Sequence, residues 1–145
     1  MRITHEADYA VRIVYVLASA GKMLPAREIS ERSGVSQRFA LKILRKLASG
    51  GLVASYKGSS GGYELSVEPR DVSLGAVIEC IDGPLEINHC LSDDFDCTRV
   101  IDKTGCRFHQ VFSEISKELR EKLYAIKVSD FMQPTIIENG GDSHE

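Results

Sequence analysis

Residues 25–63 read PAREISERSGVSQRFALKILRKLASGGLVASYKGSSGGY, and the parsing of this stretch decides the fold. Pro25 opens a short helix, where its missing N–H costs nothing. Ala26 to Ser33 continue it, with Ile29 as the inward anchor. Gly34 makes the turn and Val35 plugs the gap. Ser36 then N-caps a longer helix from Gln37 to Ala48. Phe39, Ala40, Ile43, Leu44 and Leu47 fall on one apolar stripe of that helix. Gln37, Arg38, Leu41, Lys42, Arg45 and Lys46 fall on the other face. Ser49-Gly50-Gly51 stops the helix, and Leu52 to Tyr56 read as a strand. Lys57-Gly58-Ser59-Ser60-Gly61-Gly62 is a hairpin tip without bulky side chains, and Tyr63-Glu64-Leu65 returns. Helix, tight turn, helix, hairpin is the layout of a helix-turn-helix with a wing, a module that sets one helix in the major groove of DNA. The fold class read here is mainly α with a small β-hairpin wing, plus a long C-terminal dimerisation helix.

Upstream, Thr4 caps a helix that runs to Ala20 and is stopped by Gly21. Ala7, Ala10, Val11, Val14, Leu17 and Ala18 form one apolar stripe, and Tyr9, Ile13 and Val16 a second. Two apolar faces imply burial on two sides. Asp8 and Arg12, one turn apart, fit an i, i+4 ion pair. Downstream, Ser73 caps a helix from Leu74 to Ile81, which carries Cys80 as a small buried thiol. Asp82-Gly83-Pro84 breaks the chain. Leu85 to Gly105 has neither helical nor strand period, and a loop of that length in a compact protein is functional or disordered. Arg107 to Lys127 returns to a strong helical period, with Phe108, Val111, Phe112, Ile115, Leu119, Leu123 and Ile126 on one side. That helix has no home inside a small winged domain, so a dimer interface is expected of it. Gln133 to Glu145 reads as a disordered tail.

The net charge of −3 conceals an asymmetry. Residues 1–62 carry ten Lys/Arg against four Asp/Glu, whereas residues 63–145 carry eight against seventeen. A basic half points to a polyanionic partner for that half alone. Arg38, Lys42, Arg45 and Lys57 lie on the helix and wing, and with Ser36, Gln37, Gly58, Ser59 and Ser60 they are the expected DNA-contacting set. The backbone N–H groups of the small tip suit phosphate contacts beside the minor groove. No apolar run is long enough to span a bilayer, and the N-terminus lacks a secretion signal's apolar core, so a cytoplasmic protein is expected.

All four cysteines, Cys80, Cys90, Cys97 and Cys106, lie in the acidic half. Clustered cysteines in a cytosolic chain are metal ligands or redox switches rather than structural disulfides. An enzyme reading fails for lack of parts. Cys106 and His109 are one turn apart, but no orienting acid, oxyanion glycine motif or phosphate loop accompanies them.

Taken together, these residues resemble the IscR/NsrR/CymR (Rrf-two) family of bacterial winged helix-turn-helix transcription regulators. The resemblance covers about residues 1–130. It rests on Met1-Arg2-Ile3-Thr4, Tyr9-Ala10-Val11, Ile29-Ser30, Val35-Ser36, Leu47 with Gly51-Leu52-Val53, and above all on Gly61-Gly62-Tyr63-Glu64-Leu65. It implies a homodimer that binds double-stranded DNA at a palindromic promoter site, as repressor or activator, with repressor preferred. Arg38 and Leu41 stand where the iron–sulfur-assembly regulator has Ser and Glu, so that regulator's promoter set is not carried over. Lys57 replaces an arginine, which keeps the charge and loses the planar fork.

The resemblance also implies that Cys90, Cys97 and Cys106 ligate an iron–sulfur cluster, 2Fe–2S or 4Fe–4S, that senses redox state, nitric oxide or iron. Thiolates are the natural ligands of such clusters. Six and eight residues intervene between these cysteines, more than the family's usual five and five. Two residues match family positions for the remaining ligand. His109 matches the histidine of the assembly regulator. Asp8 matches the aspartate that the nitric-oxide sensor supplies from the partner subunit. Two other chemistries stay open: a cluster-free thiol switch or cysteine-metabolism regulator, and a structural zinc site on Cys90, Cys97, Cys106 and His109. The expected organisation is a DNA-binding domain over 1–82, a sensor loop over 83–106, a dimerisation helix over 107–131 and the tail over 132–145.

Overall fold

The structure, a computed structural model, describes residues 2–99 and 102–132. The expected disordered tail, Gln133 to Glu145, lies outside the described residues. The described elements are α1 (His5–Ala20), α2 (Ala26–Ser33), α3 (Gln37–Ser49), β1 (Val53–Tyr56), β2 (Gly62–Leu65), α4 (Leu74–Asp82) and α5 (Arg107–Ala125). The fold is mainly helical with one antiparallel hairpin, as its periodicity implies.

Side-chain caps fix the helix starts. Thr4 accepts from Ala7 N at 3.0 Å, Ser36 from Phe39 N at 3.4 Å and Ser73 from Ala76 N at 2.9 Å. Each such cap is worth about 1 kcal/mol. The α2–α3 turn depends on Gly34, whose φ of 72° is left-handed, and its N–H closes on Ser30 O at 3.1 Å. Ser30 Oγ then donates to Val35 O at 2.5 Å, and the Val35 side chain is buried between the helices.

Ala10, Ile13, Val14 and Leu17 of α1 meet Ile29, Ala40, Ile43, Leu44, Leu47, Val53 and Val77 in one core. Truncating a Leu or Ile here to Ala costs about 2–5 kcal/mol. Phe39 departs from the expected stripe. It is 51% exposed, and its ring meets the edge of Tyr9 at 6.3 Å between centroids. Its place on α3 is at the flank facing α1, beside Tyr9.

The hairpin pairs Val53 with Leu65 through Tyr56 with Gly62. It is extended by a bridge to the chain just before α2: Leu24 N donates to Tyr63 O at 2.9 Å and Tyr63 N to Leu24 O at 2.8 Å. A Cβ at Gly62 would collide with the Leu24 carbonyl, so the bridge requires glycine there. This gives the Gly61-Gly62-Tyr63 signature a physical cause.

The last turn of α4 is a junction. Glu79 faces α5, Cys80 Sγ donates to Lys46 O of α3 at 3.5 Å, and Asp82 accepts from Thr4 Oγ1 at 2.5 Å. The helix expected to run to Lys127 ends at Ala125. Beyond it the chain turns extended and pairs with the segment before α4: Leu74 N donates to Ile126 O at 2.8 Å and Val128 N to Val72 O at 2.9 Å. These long-range bonds replace the helical ones. The segment 85–105, expected to lack secondary structure, contains two 3-10 turns, His89–Leu91 and Lys103–Gly105.

Candidate nucleic-acid interface and cysteine loop

The residues expected to contact DNA lie on two elements, α3 and the wing tip. Ser36, Gln37, Arg38, Lys42 and Arg45 on α3, and Lys57, Gly58, Ser59 and Ser60 at the wing tip, are all exposed. Ala40, Ile43, Leu44 and Leu47 on the opposite side of α3 are fully buried, so the helix cannot rotate to hide its basic face. Among the described residues, Arg38, Arg45 and Lys57 have no ion-pair partner. The wing is braced below its tip, where Tyr56 Oη donates to Glu64 Oε1 at 2.7 Å. That bond, and the carboxylate's charge, raise the Tyr56 pKa, so the phenol stays protonated.

One acidic group borders this face and was not expected from the sequence. Glu6, in the first turn of α1, sets its Oε1 2.8 Å from Lys46 Nζ and 3.9 Å from Lys42 Nζ. Its contact with α3 joins residues 36 and 40 positions apart in sequence, so no local pattern announces it.

The cysteine loop folds back on α5. Ile87 N donates to Ser116 Oγ at 3.0 Å, Lys103 Nζ to Ser92 O at 3.0 Å and Gln110 Nε2 to Thr104 O at 3.0 Å. The Arg99 guanidinium lies 4.8 Å over the Phe108 ring. Two of the loop sulfurs accept N–H donors: Cys90 from Asn88 Nδ2 at 3.3 Å and Cys97 from Arg99 N at 3.4 Å. His109 stands in the first turn of α5, and its Nδ1 is buried without a hydrogen-bond partner among the described residues. Asp8 is half-buried on α1, 3.0 Å from Arg12 in the expected i, i+4 pair. Cys80 is apart from the loop, and burial pushes its thiol pKa up against the opposing pull of Lys46.

The donor chemistry therefore suits a thiophilic metal group: three sulfurs, two of them already accepting N–H bonds, and an orphaned imidazole nitrogen. The geometry is not that of an assembled site. Among the described residues, no group of three or more His, Cys, Asp or Glu side chains is gathered closely enough to hold a metal ion. Along α5, Phe108, Val111 and Ile115 are exposed, and Ser116 on the inner side is buried. No helix among the described residues is long and apolar enough to cross a membrane.

A buried-backed basic helix beside a small glycine-serine wing defines a winged helix-turn-helix transcription regulator. The chain belongs to the Rrf2 family, described as an iron-dependent transcriptional regulator, whose profile matches residues 3–134. It is 38% identical over 120 residues to the rrf2-like HTH-type transcriptional regulator of Rhodobacter capsulatus, spanning 78% of this chain and 80% of that protein. It is 31% identical over 134 residues to the HTH-type transcriptional regulator IscR of Vibrio cholerae, spanning 91% and 75% of the two chains. Among solved structures, IscR of T. potens superposes with a TM-score of 0.69 at 26% identity, covering 92% of this chain and 87% of that one. CymR, the global cysteine regulator of B. subtilis, superposes at 0.70 with 20% identity, covering 90% and 95%, and shares the fold. These relatives are named as regulators of transcription, not as enzymes.

Proposed function

We propose that this regulator is a homodimeric repressor that binds a palindromic promoter site through α3 and the wing. The observation that carries this reading is the exposed set Arg38, Lys42, Arg45 and Lys57, two of whose arginines are held by no intramolecular ion pair among the described residues. In this reading 1–82 binds DNA, 83–106 is the sensor loop, 107–131 dimerises the protein and 132–145 is the tail. The exposed Phe108, Val111 and Ile115 support the assignment to α5, since a second copy would cover them. The test is promoter binding by two variants. Arg38→Ala should cost about 1–3 kcal/mol and relax specificity, as loss of a base contact does. Lys57→Ala should weaken all sequences alike and lower the salt slope by about 0.9. Unchanged binding by both would overturn the assignment.

The same reading gives the loop an iron–sulfur cluster, 2Fe–2S or 4Fe–4S, on Cys90, Cys97 and Cys106. His109 in the same chain or Asp8 from the partner subunit would complete it. The orphaned His109 Nδ1 supports the first. The second would require Asp8 to give up only an exposed pair with Arg12, worth about 0.3–0.5 kcal/mol. Such a group supplies sensitivity to oxidant or nitric oxide when bound. The chain's own part is transmission. Leu85 N, at the loop's start, donates to Glu79 Oε2 at 2.8 Å, and the neighbouring Cys80 and Asp82 hold α3 and the cap of α1. A displaced loop therefore pulls on the turn that fixes the recognition helix, and half-site spacing is strict enough for small rotations to alter affinity. Iron, sulfide and zinc analysis of anaerobically purified protein, with its visible spectrum, tests this. Stoichiometric iron and sulfide support the cluster. A colourless, iron-free protein that responds to peroxide identifies a thiol switch, and one zinc per chain identifies a structural site.

A further inference from the structure

Glu6 places a carboxylate at the edge of a surface that otherwise attracts phosphate. Its Oε1 is buried, although the side chain as a whole is 25% exposed, and its charge partners are Lys46 Nζ at 2.8 Å, on a side chain 41% exposed, and Lys42 Nζ at 3.9 Å; the short contact is an ion pair without hydrogen-bond geometry. A buried carboxylate oxygen that loses its cation is left uncompensated, which is costly. Lys46 is therefore not readily surrendered to a phosphate in water. Lys42 is 59% exposed and holds the longer contact, so it stays available on the outer face. Lys42 and Lys46 are one turn apart on the same flank of α3, so this single carboxylate divides a lysine pair into one presented and one withheld.

We infer that Glu6 is a specificity-determining residue of the DNA interface: it withholds Lys46 from the phosphate backbone and so limits the non-specific, charge-driven part of binding. This rests on α3 being the DNA-reading helix. Backbone contacts add affinity without sequence information. Removing one raises the ratio of specific to non-specific binding, and restoring one lowers it. Glu6 thereby works by excluding a contact, in the way that specificity is often built.

The test is titration of the full-length protein with a fixed-sequence duplex lacking a palindrome and with its promoter duplex, each over a series of salt concentrations. Glu6→Gln, and independently Glu6→Ala, should bind the non-palindromic duplex several-fold more tightly at low salt. Each should also steepen the slope of log K against log salt by about 0.9, the signature of one more phosphate contact. Adding Lys46→Gln to Glu6→Gln should return the slope to the wild-type value. Arg38→Ala is run in parallel. If Arg38→Ala weakens promoter binding while both Glu6 variants leave the slope unchanged, the role of Glu6 is overturned and α3 remains the reading helix. If the double variant keeps the steeper slope, the freed contact is not Lys46, and the inference is likewise overturned. If neither Arg38→Ala nor the Glu6 variants alter binding, the reading of α3 fails and this inference with it.

Discussion

Arg120 of α5 grips Glu79 of α4. Its Nε lies 3.0 Å from both carboxylate oxygens, and its Nη2 lies 3.0 Å from Oε1. Tyr124 Oη donates to the same Oε1, and Leu85 N donates to Oε2 at 2.8 Å. The Glu79 side chain is only 12% exposed, against 55% for Arg120. Breaking the pair from the arginine side therefore leaves a nearly buried carboxylate. Arg120→Ala should lower the midpoint of a denaturant melt, by less than loss of a fully buried pair would because water screens the arginine.

The same cluster has a pH signature. Burial alone would push the Glu79 carboxyl up, but the bonds from Arg120, Tyr124 and Leu85 N–H, with the guanidinium charge, bring it below its ordinary value of 4.5. A depressed native pKa contributes stability above the unfolded value, and that stability is lost as pH falls through the native value. The wild-type Tm should therefore fall more steeply below about pH 4.5 than that of Glu79→Gln, which has no proton to take up. Parallel acid limbs in the two Tm–pH curves would show that the cluster contributes nothing to acid stability.

Gly75 lies beneath the Tyr124 ring, and a Cβ there would sit inside contact distance of three of the ring's carbons. In an unconstrained helix, Gly→Ala would gain about 1 kcal/mol. Here the ring cannot swing away without losing its bond to Glu79, so overpacking of about 1–3 kcal/mol opposes that gain. Gly75→Ala should be destabilising by about 1 kcal/mol, and adding Tyr124→Ala should reverse the sign of the Gly75 substitution. A single variant that melts higher than wild type would show that the ring yields freely.

Ile115 is 45% exposed midway along α5, with Phe108 at 58% two turns earlier on the same stripe. Placing a charge there should not disturb the chain's own core, which it does not enter. If α5 pairs with its twin, Ile115→Glu buries two like charges in one interface. Sedimentation should then report a monomer, and affinity for a palindrome should fall to that of a single half-site. A dimer that survives the substitution would assign the interface elsewhere, for instance to α1.

How far the sequence speaks depends on whether the signal is local. The α1 to α4 boundaries follow from caps and periodicity: Thr4, Ser36 and Ser73 each accept the amide that an N-cap should. Gly34 and the Gly-rich wing are equally local. A helical period cannot tell Phe39, at the rim of the core beside Tyr9, from a residue facing the core. The early end of α5 comes from pairing of residues 126–128 with residues 72–74, a contact across more than 50 positions. For the loop, Cys90, Cys97, Cys106 and His109 are legible as donors from residue type and spacing, whereas their convergence is a property of tertiary structure. Glu6 was invisible for the same reason, since its partners belong to another helix.

The four cysteines should divide three to one in their chemistry. Cys80 Sγ donates to Lys46 O beneath α3, and burial raises its pKa, so little thiolate is present near neutral pH. Timed alkylation of iron-free protein, read by mass spectrometry, should label Cys80 last. A Cβ at Gly50 would meet the Cys80 sulfur at 2.5 Å, so the glycine leaves that sulfur its room against α3. Cys80→Ser should therefore leave the iron and sulfide content of anaerobic protein at the wild-type level. Cys106→Ser, by contrast, should abolish it, because Cys106 joins the loop to α5 and is one of the three proposed ligands. Iron loss in Cys80→Ser at unchanged Tm would make Cys80 a ligand, and would force the loop to close toward α4 rather than over His109.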